Sequence, residues 1–189
     1  MKKILITYFG PFGHFTENPS ELIARRLMLE FSEFENISFA GLDVQFDSVE
    51  RFIEQDFTDV DVIYLLGVAS RSEKVKLELT ARNFVSAKDN SGAYREGEIS
   101  INGPQRLYST LENTHYQEIM EEFHSEVTTS ENAGAYLCNY IYYKTLQKLP
   151  DKAILFIHIA NFSDLSGSVS FERQVEFLSL LVERNLTVN

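Results

Sequence analysis

The chain has 189 residues, 44% hydrophobic and 24% charged, which suits one ordinary domain and is too apolar for a disordered chain. Seventeen Lys and Arg against twenty-eight Asp and Glu leave a formal charge of -11, which repels phosphate backbones and anionic lipid heads. A nucleic-acid or membrane-surface binder needs a concentrated basic stripe, and the sequence offers only short pairs such as Arg25-Arg26. The one cysteine, Cys138, rules out an intramolecular disulfide, and four histidines without close ligand spacing argue against structural zinc. The opening MKKILITYFGPFG has a basic start, but its apolar run stops at Gly10-Pro11, too early for a secretory signal. No stretch approaches the ~20 apolar residues of a membrane span. These features predict a cytoplasmic protein without nucleic-acid or membrane partners.

In chain order, Lys3 to Tyr8 is a continuous apolar run of the kind found in buried parallel strands. Asn18-Pro19-Ser20-Glu21 then opens a helix, with Asn at the N-cap and Pro at the first helical position. Ile23, Leu27 and Phe31 form its buried stripe. Ile37 to Val44 predicts a second strand, and Asp47-Ser48-Val49-Glu50 has the pattern of a capping box before a helix carrying Val49, Phe52 and Ile53. Val60 to Leu66 predicts a third strand ending at Gly67. Val75 to Ala81 alternates strictly, with Lys76, Glu78 and Thr80 on the polar face, which predicts a half-exposed strand. Ser86 to Arg106 has no clean period and is expected to be a functional or mobile loop. Thr114 to Gln117 caps a helix with Ile119, Met120 and Phe123. Leu137 to Leu149 reads as a helix and Ala153 to Ala160 as a buried strand. Ser168 to Asn185 closes the chain as an amphipathic helix with the stripe Phe171, Val175, Leu178 and Val182.

Alternating strands and helices without linkers or repeats predict one domain over residues 1–189. It is a three-layer α/β/α fold whose central sheet is mostly parallel, mixed by an antiparallel excursion at Val75. Ligands in such sheets bind beyond the carboxyl ends of the strands. That rule brings together the loop after the first strand, the turn at Gly67, the start of the Cys138 helix, and His158.

Cys138 falls in the first turn of its helix, where the dipole and unpaired N–H groups favour a thiolate and a developing oxyanion. A buried thiol acting as a small hydrophobe fits the same surroundings. His158 sits near the end of an apolar strand, as a core histidine or as a base. Glu78, on a polar strand face, is either a solvated carboxylate or the group that orients the imidazole. The loop YFGPFGHFTENP carries Phe9, Phe12 and Phe15 and lacks a phosphate-binding pattern, so its aromatics either fill the core or sandwich a small flat ring. His14, His115 and His124 lack metal-site spacing and are expected at the surface, and Asn161-Phe162-Ser163 carries no weight as a glycosylation triplet without secretion.

The residues resemble the pyroglutamyl peptidase I family of cysteine peptidases from end to end. FGPFG and ENPS match the family's first loop, and Gly67-Val68-Ala69 stands at its Gly-x-Ala turn. Glu78 with Asn83 and Ala87 fits its glutamate strand, and Tyr108-Ser109-Thr110-Leu111 fits its Y-F-S-T-L element. Ala133-Gly134 to Cys138-Asn139 is the cysteine signature, and Phe156-Ile157-His158 the histidine block. The resemblance implies Cys138 as nucleophile, His158 as general base and then acid, and Glu78 as its orienting partner. It implies Phe9, Phe12, Asn18, Gly67 and Val68 around a pyrrolidone ring, with Lys88 in the place of an arginine that assists the oxyanion. It implies peptide substrates with a pyroglutamyl N-terminus, no metal or organic cofactor, and homo-oligomers, often tetramers. Val68 replaces the usual Gln, Ala87-Lys88-Asp89-Asn90 is shorter than the family's A-R-I-P-D-N, and the segment after His158 lacks the usual prolines. These departures keep open an amidase for another small N-acyl group, or a non-catalytic binding protein.

Overall fold

A computed structural model describes residues 1–13, 16–161 and 169–187. The backbone is a six-stranded sheet between two helical layers. In chain order it comprises β1 (Ile4–Phe9), α1 (Pro19–Glu30), β2 (Ile37–Leu42), α2 (Phe46–Ile53), β3 (Val62–Ala69) and β4 (Val75–Glu78). There follow β5 (Thr80–Arg82), β6 (Val85–Lys88), β7 (Tyr94–Gly97), β8 (Arg106–Tyr108), a 3-10 turn (Asn113–His115) and α3 (Gln117–Glu122). The chain closes with β9 (Val127–Ser130), α4 (Leu137–Lys148), β10 (Ala153–Ala160) and α5 (Phe171–Thr187).

The sheet order is β2-β1-β3-β10-β4-β9, with β5–β8 and β6–β7 as separate two-stranded ribbons. Pairing is parallel except between β10 and β4, where His158 faces Lys76 and Phe156 faces Glu78. Period-two alternation sorts the strands between two cores. Ile4, Ile6, Tyr64, Leu66, Leu155 and Ile157 pack toward α1 and α5. Leu5, Ile63, Leu65, Ile154 and Phe156 pack toward α2 and α4. Continuous apolar strands are therefore required because both faces are covered, and the predicted three-layer α/β/α fold is the one observed.

Several boundaries differ from expectation. β3 runs on past Gly67 to Ala69, because Gly67, Val68 and Ala69 pair with His158, Ile159 and Ala160. The Val75–Ala81 segment breaks in two after Glu78, and β5 leaves the main sheet to pair with β8. The stretch from Ser86 to Arg106 is not an open loop: it holds most of the β6–β7 hairpin and the start of β8. Strands of three or four residues with an exposed face are too short to show a period. The capping box at Asp47 does not form. α2 begins at Phe46, whose N–H donates to Asp89 Oδ2 at 2.8 Å, so the cap comes from a distant hairpin. α3 likewise has no side-chain cap at its start. α5 carries the predicted stripe of Phe171, Val175, Leu178 and Val182 against the sheet, while the expected start at Ser168 lies outside the described residues.

His115 is not a surface residue: it is 9% exposed, and its Nδ1 has no partner. Burial, with Lys2 nearby, lowers its pKa against the pull of Glu112 and Asn185. His124 is exposed as expected, and His14 lies outside the described residues. Because folding holds His115 neutral, its contribution to stability is full above the ordinary imidazole range and is lost as pH falls through that range. Urea midpoints from about pH 7 to 5 should therefore fall less steeply in His115→Gln than in the unaltered chain. Parallel slopes would contradict this.

Candidate active site

The carboxyl ends of β1, β3 and β10 meet the start of α4 at one edge of the sheet. Phe156, His158, Lys76 and Glu78 share the α4-facing side of the β10–β4 seam. The polar face of β4 is not solvated, because α4 covers it. Glu78 is 1% exposed, and Tyr142 of α4 donates its hydroxyl to the Glu78 carbonyl at 2.8 Å. Alternation reports which side a residue faces, and the covering helix decides whether that side is wet.

His158, 7% exposed, holds Glu78 Oε1 at 2.7 Å through Nδ1. An ionised carboxylate only accepts, so the Nδ1 proton is fixed there and Nε2 is left for another partner. That partner is the Cys138 thiol, within hydrogen-bonding reach of the ring. Burial alone would depress the imidazole, but the hydrogen bonds and charges of Cys138 and Glu78 overcome it and push the ring pKa up to about 9. The ring is then a cation at neutral pH beside the half-buried sulfur.

Cys138 owes its position to two features. It lies in the first turn of α4, ahead of the first intrahelical bond from Tyr140 N–H to the Tyr136 carbonyl at 3.1 Å. The preceding N–H groups are therefore available at the positive end of the helix. Its sulfur also packs on Gly67, where an added Cβ would stand 2.9 Å from Sγ and 2.8 Å from Phe156 Cζ. The glycine is needed for close approach between strand and sulfur.

A small pocket of about 50 Å³ opens beside the sulfur, lined by Phe9, Phe12, Asn18, Val44, Val68, Tyr136, Leu137 and Cys138. None of these side chains is charged. Asn18 caps α1 through Oδ1 and donates Nδ2 to the Gly10 carbonyl at 2.9 Å, which ties the Phe12 loop to the helix. Gly67 touches the sulfur without lining the pocket. Lys88 is exposed on the β6–β7 hairpin, its chain lying over the Gly92 turn and outside the pocket lining. The shortened segment folds into a tight hairpin in which Lys88 falls on the solvent side. Phe15 lies outside the described residues, as do Phe162 and Ser163 of the Asn161 triplet.

Sequence reasoning missed Val44, Tyr136 and Leu137, of which the last two were findable as neighbours of the cysteine. It also missed the work of Asn139. This fully buried amide accepts from Arg82 N–H at 2.9 Å and donates to the Arg82 and Phe84 carbonyls at 2.8 and 2.9 Å. Arg82 in turn donates to the Gly134 carbonyl at 3.0 Å, and Ser86 N–H to Ala135 at 2.9 Å. These bonds hold the turn ahead of Cys138. On the other side, Gln174 brackets Ala160, accepting from its N–H at 2.9 Å and donating to its carbonyl at 3.1 Å, just beyond His158.

A thiol, an imidazolium and a carboxylate in line beside an uncharged pocket can perform acyl transfer through a thioester. Among the described residues no cluster of His, Cys, Asp and Glu could hold a metal ion, and no helix is long and apolar enough to cross a membrane. Fold and site together define a cysteine hydrolase on an α/β scaffold. The sequence matches the pyroglutamyl peptidase family over residues 2–172, and the chain belongs to that family. It is 27% identical over 205 residues to the pyrrolidone-carboxylate peptidase of Pyrococcus furiosus, covering 96% of each chain. Identity to that of Thermococcus litoralis is 31% over 155 residues, 77% of this chain and 69% of the other. The Thermus thermophilus pyrrolidone carboxyl peptidase structure superposes with a TM-score of 0.85 at 26% identity, covering 96% of this chain and 99% of that one. For the Bacillus amyloliquefaciens pyroglutamyl peptidase I the TM-score is 0.84 at 26% identity, covering 96% and 95%.

Gly67→Ala should displace either the sulfur or the buried Phe156 ring, costing about 1–3 kcal/mol of stability and at least about tenfold in Cys138 alkylation rate. Thermal melts and timed iodoacetamide labelling test both. Asn139→Ala should cost about 2–3 kcal/mol in urea unfolding, because the Arg82 N–H and the Phe84 carbonyl lose their part-buried partner. A loss below about 1 kcal/mol would mean that water replaces the amide.

Proposed function

We propose that the chain removes N-terminal pyroglutamate from peptides, with Cys138 as nucleophile, His158 as proton carrier and Glu78 as its orienting partner. The observation that carries this reading is the uncharged pocket of Phe9, Phe12, Val44 and Val68 ending on the Cys138 sulfur. A free amino terminus is a cation and would need a carboxylate there, whereas a lactam is neutral and needs apolar walls with a few polar contacts. Asn18 and the backbone at Gly67 and Val68 are the groups suited to the ring's amide. The family membership and the names of the relatives support the same substrate.

In this mechanism the Cys138 thiolate attacks the carbonyl joining pyroglutamate to the next residue. Backbone N–H groups at the start of α4 stabilise the oxyanion. The C–N bond breaks as the His158 imidazolium gives its proton to the leaving amine, and a thioester remains. Water then attacks the thioester with His158 taking its proton, and pyroglutamate and the thiol are released. Lys88 joins these steps only by moving from its exposed position. A reducing cytoplasm suits an enzyme whose one thiol is its nucleophile.

Cleavage of a pyroglutamyl-amide reporter is expected, with turnover falling to background in Cys138→Ala. An unaltered rate in that variant would reject the nucleophile. Activity should also fall on the alkaline side as the ring loses its proton near pH 9. Glu78→Gln removes a charge that raises the ring pKa, so it should move that limb to lower pH and cost about 10²–10⁴-fold in rate. A limb that stays in place would separate Glu78 from the ring's titration.

A further inference from the structure

The turn between β6 and β7 reaches the pocket although none of its residues lines it. Asn90 donates its backbone N–H to the Val44 carbonyl at 3.0 Å. Its side-chain Nδ2 donates to the Pro11 carbonyl at 3.0 Å, and its Oδ1 accepts from Gly13 N–H at 3.4 Å. Pro11 and Gly13 flank Phe12, and Phe12 and Val44 are both pocket walls. Proline has no N–H to anchor its own peptide, and Gly13 takes a φ of 59° that marks a sharp turn. One exposed amide therefore holds the backbone on both sides of Phe12 while its own main chain is bonded to the facing wall. The neighbouring Asp89 fixes this turn, accepting from Ser91, Ala93 and Phe46 N–H groups at 2.9, 3.0 and 2.8 Å.

We propose that Asn90 is a positioning residue for substrate grip: it sets the spacing between the Phe12 loop and the Val44 wall, and so the affinity for a small neutral ring. The proposal rests on the pocket being the acyl site described above. Dispersion decides the grip in an apolar slot, and a gap of 0.5–1 Å already forfeits a quarter to a half of each contact. Asn90 acts on ring binding and not on the sulfur, which is held by Gly67 and α4.

The test uses Asn90→Ala and Asn90→Asp. The aspartate keeps an acceptor for Gly13 but sets an anion against the Pro11 carbonyl, so both variants should loosen the loop. Three readouts are compared with the unaltered chain: kcat and KM on a pyroglutamyl-amide reporter, the iodoacetamide labelling rate of Cys138, and protection from that labelling by 2-pyrrolidone. KM and the half-protecting concentration of 2-pyrrolidone should rise together about five- to tenfold, the range that one or two hydrogen bonds command. The kcat and the unprotected labelling rate should change by less than about threefold. Unchanged KM and protection in a folded Asn90→Ala would overturn the proposal. So would equal falls in kcat and unprotected labelling, the signature of general loosening. An unaltered chain that 2-pyrrolidone protects but that leaves the reporter intact would reject the peptidase reading while the protection arm still decides the clamp. A chain that 2-pyrrolidone does not protect overturns both.

Discussion

The antiparallel seam between β10 and β4 is the constraint on which the site depends. In this sheet β10 pairs in parallel with β3 on one side and antiparallel with β4 on the other. The reversal puts Glu78 diagonally across the seam from His158, on the same face, under α4. A slip of one residue would turn the glutamate into the opposite core, among Val75, Leu77 and Leu155. Apolar residues on the other face of β4 hold the register, so the energy of the core fixes the geometry of a polar pair. The pair is in turn completed by Cys138, whose distance from the ring is set by a strand that lacks a side chain at Gly67.

Much of this was legible in the sequence. The strands β1, β3 and β10 are long apolar runs, and Asn18-Pro19 begins α1 as its chemistry demands. Cys138 and His158 could be placed at the ligand edge from topology alone. What was hidden depended on partners far along the chain. Glu78 looks solvated until α4 lies over it. The β6–β7 hairpin shows no period because its strands are four residues long and half exposed. His115 looks like an ordinary polar residue until α5 covers it. The cap of α2 is invisible locally, since the capping side chain is Asp89 and not Asp47. Local pattern thus read the elements that carry their own signal and missed those defined by contact.

The polar groups around the site form supports on three sides. Asn139 and Arg82 hold the turn before Cys138, Gln174 holds the strand end after His158, and Asn18 holds the loop that carries Phe12. Each does so mainly by bonding to peptide groups, with the Ser20 hydroxyl donating to Asn18 Oδ1 at 2.9 Å besides, which fixes backbone more than rotamers. Farther out, Arg95 of β7 pairs with Glu50 of α2 at 3.0 Å and lies 5.2 Å over the Tyr140 ring of α4, so the hairpin is fastened to both helices of its layer. The uncharged pocket is surrounded by this frame, and none of the fixed charges of the frame enters it.

The cap of α2 also bears on how the chain assembles. An eight-residue helix is marginal by itself in water, and the carboxylate serving its first amide lies 43 residues downstream. During synthesis the helix leaves the ribosome long before Asp89 and the turn that holds it. The first βαβα run therefore lacks this cap until Asp89 and its turn have been made.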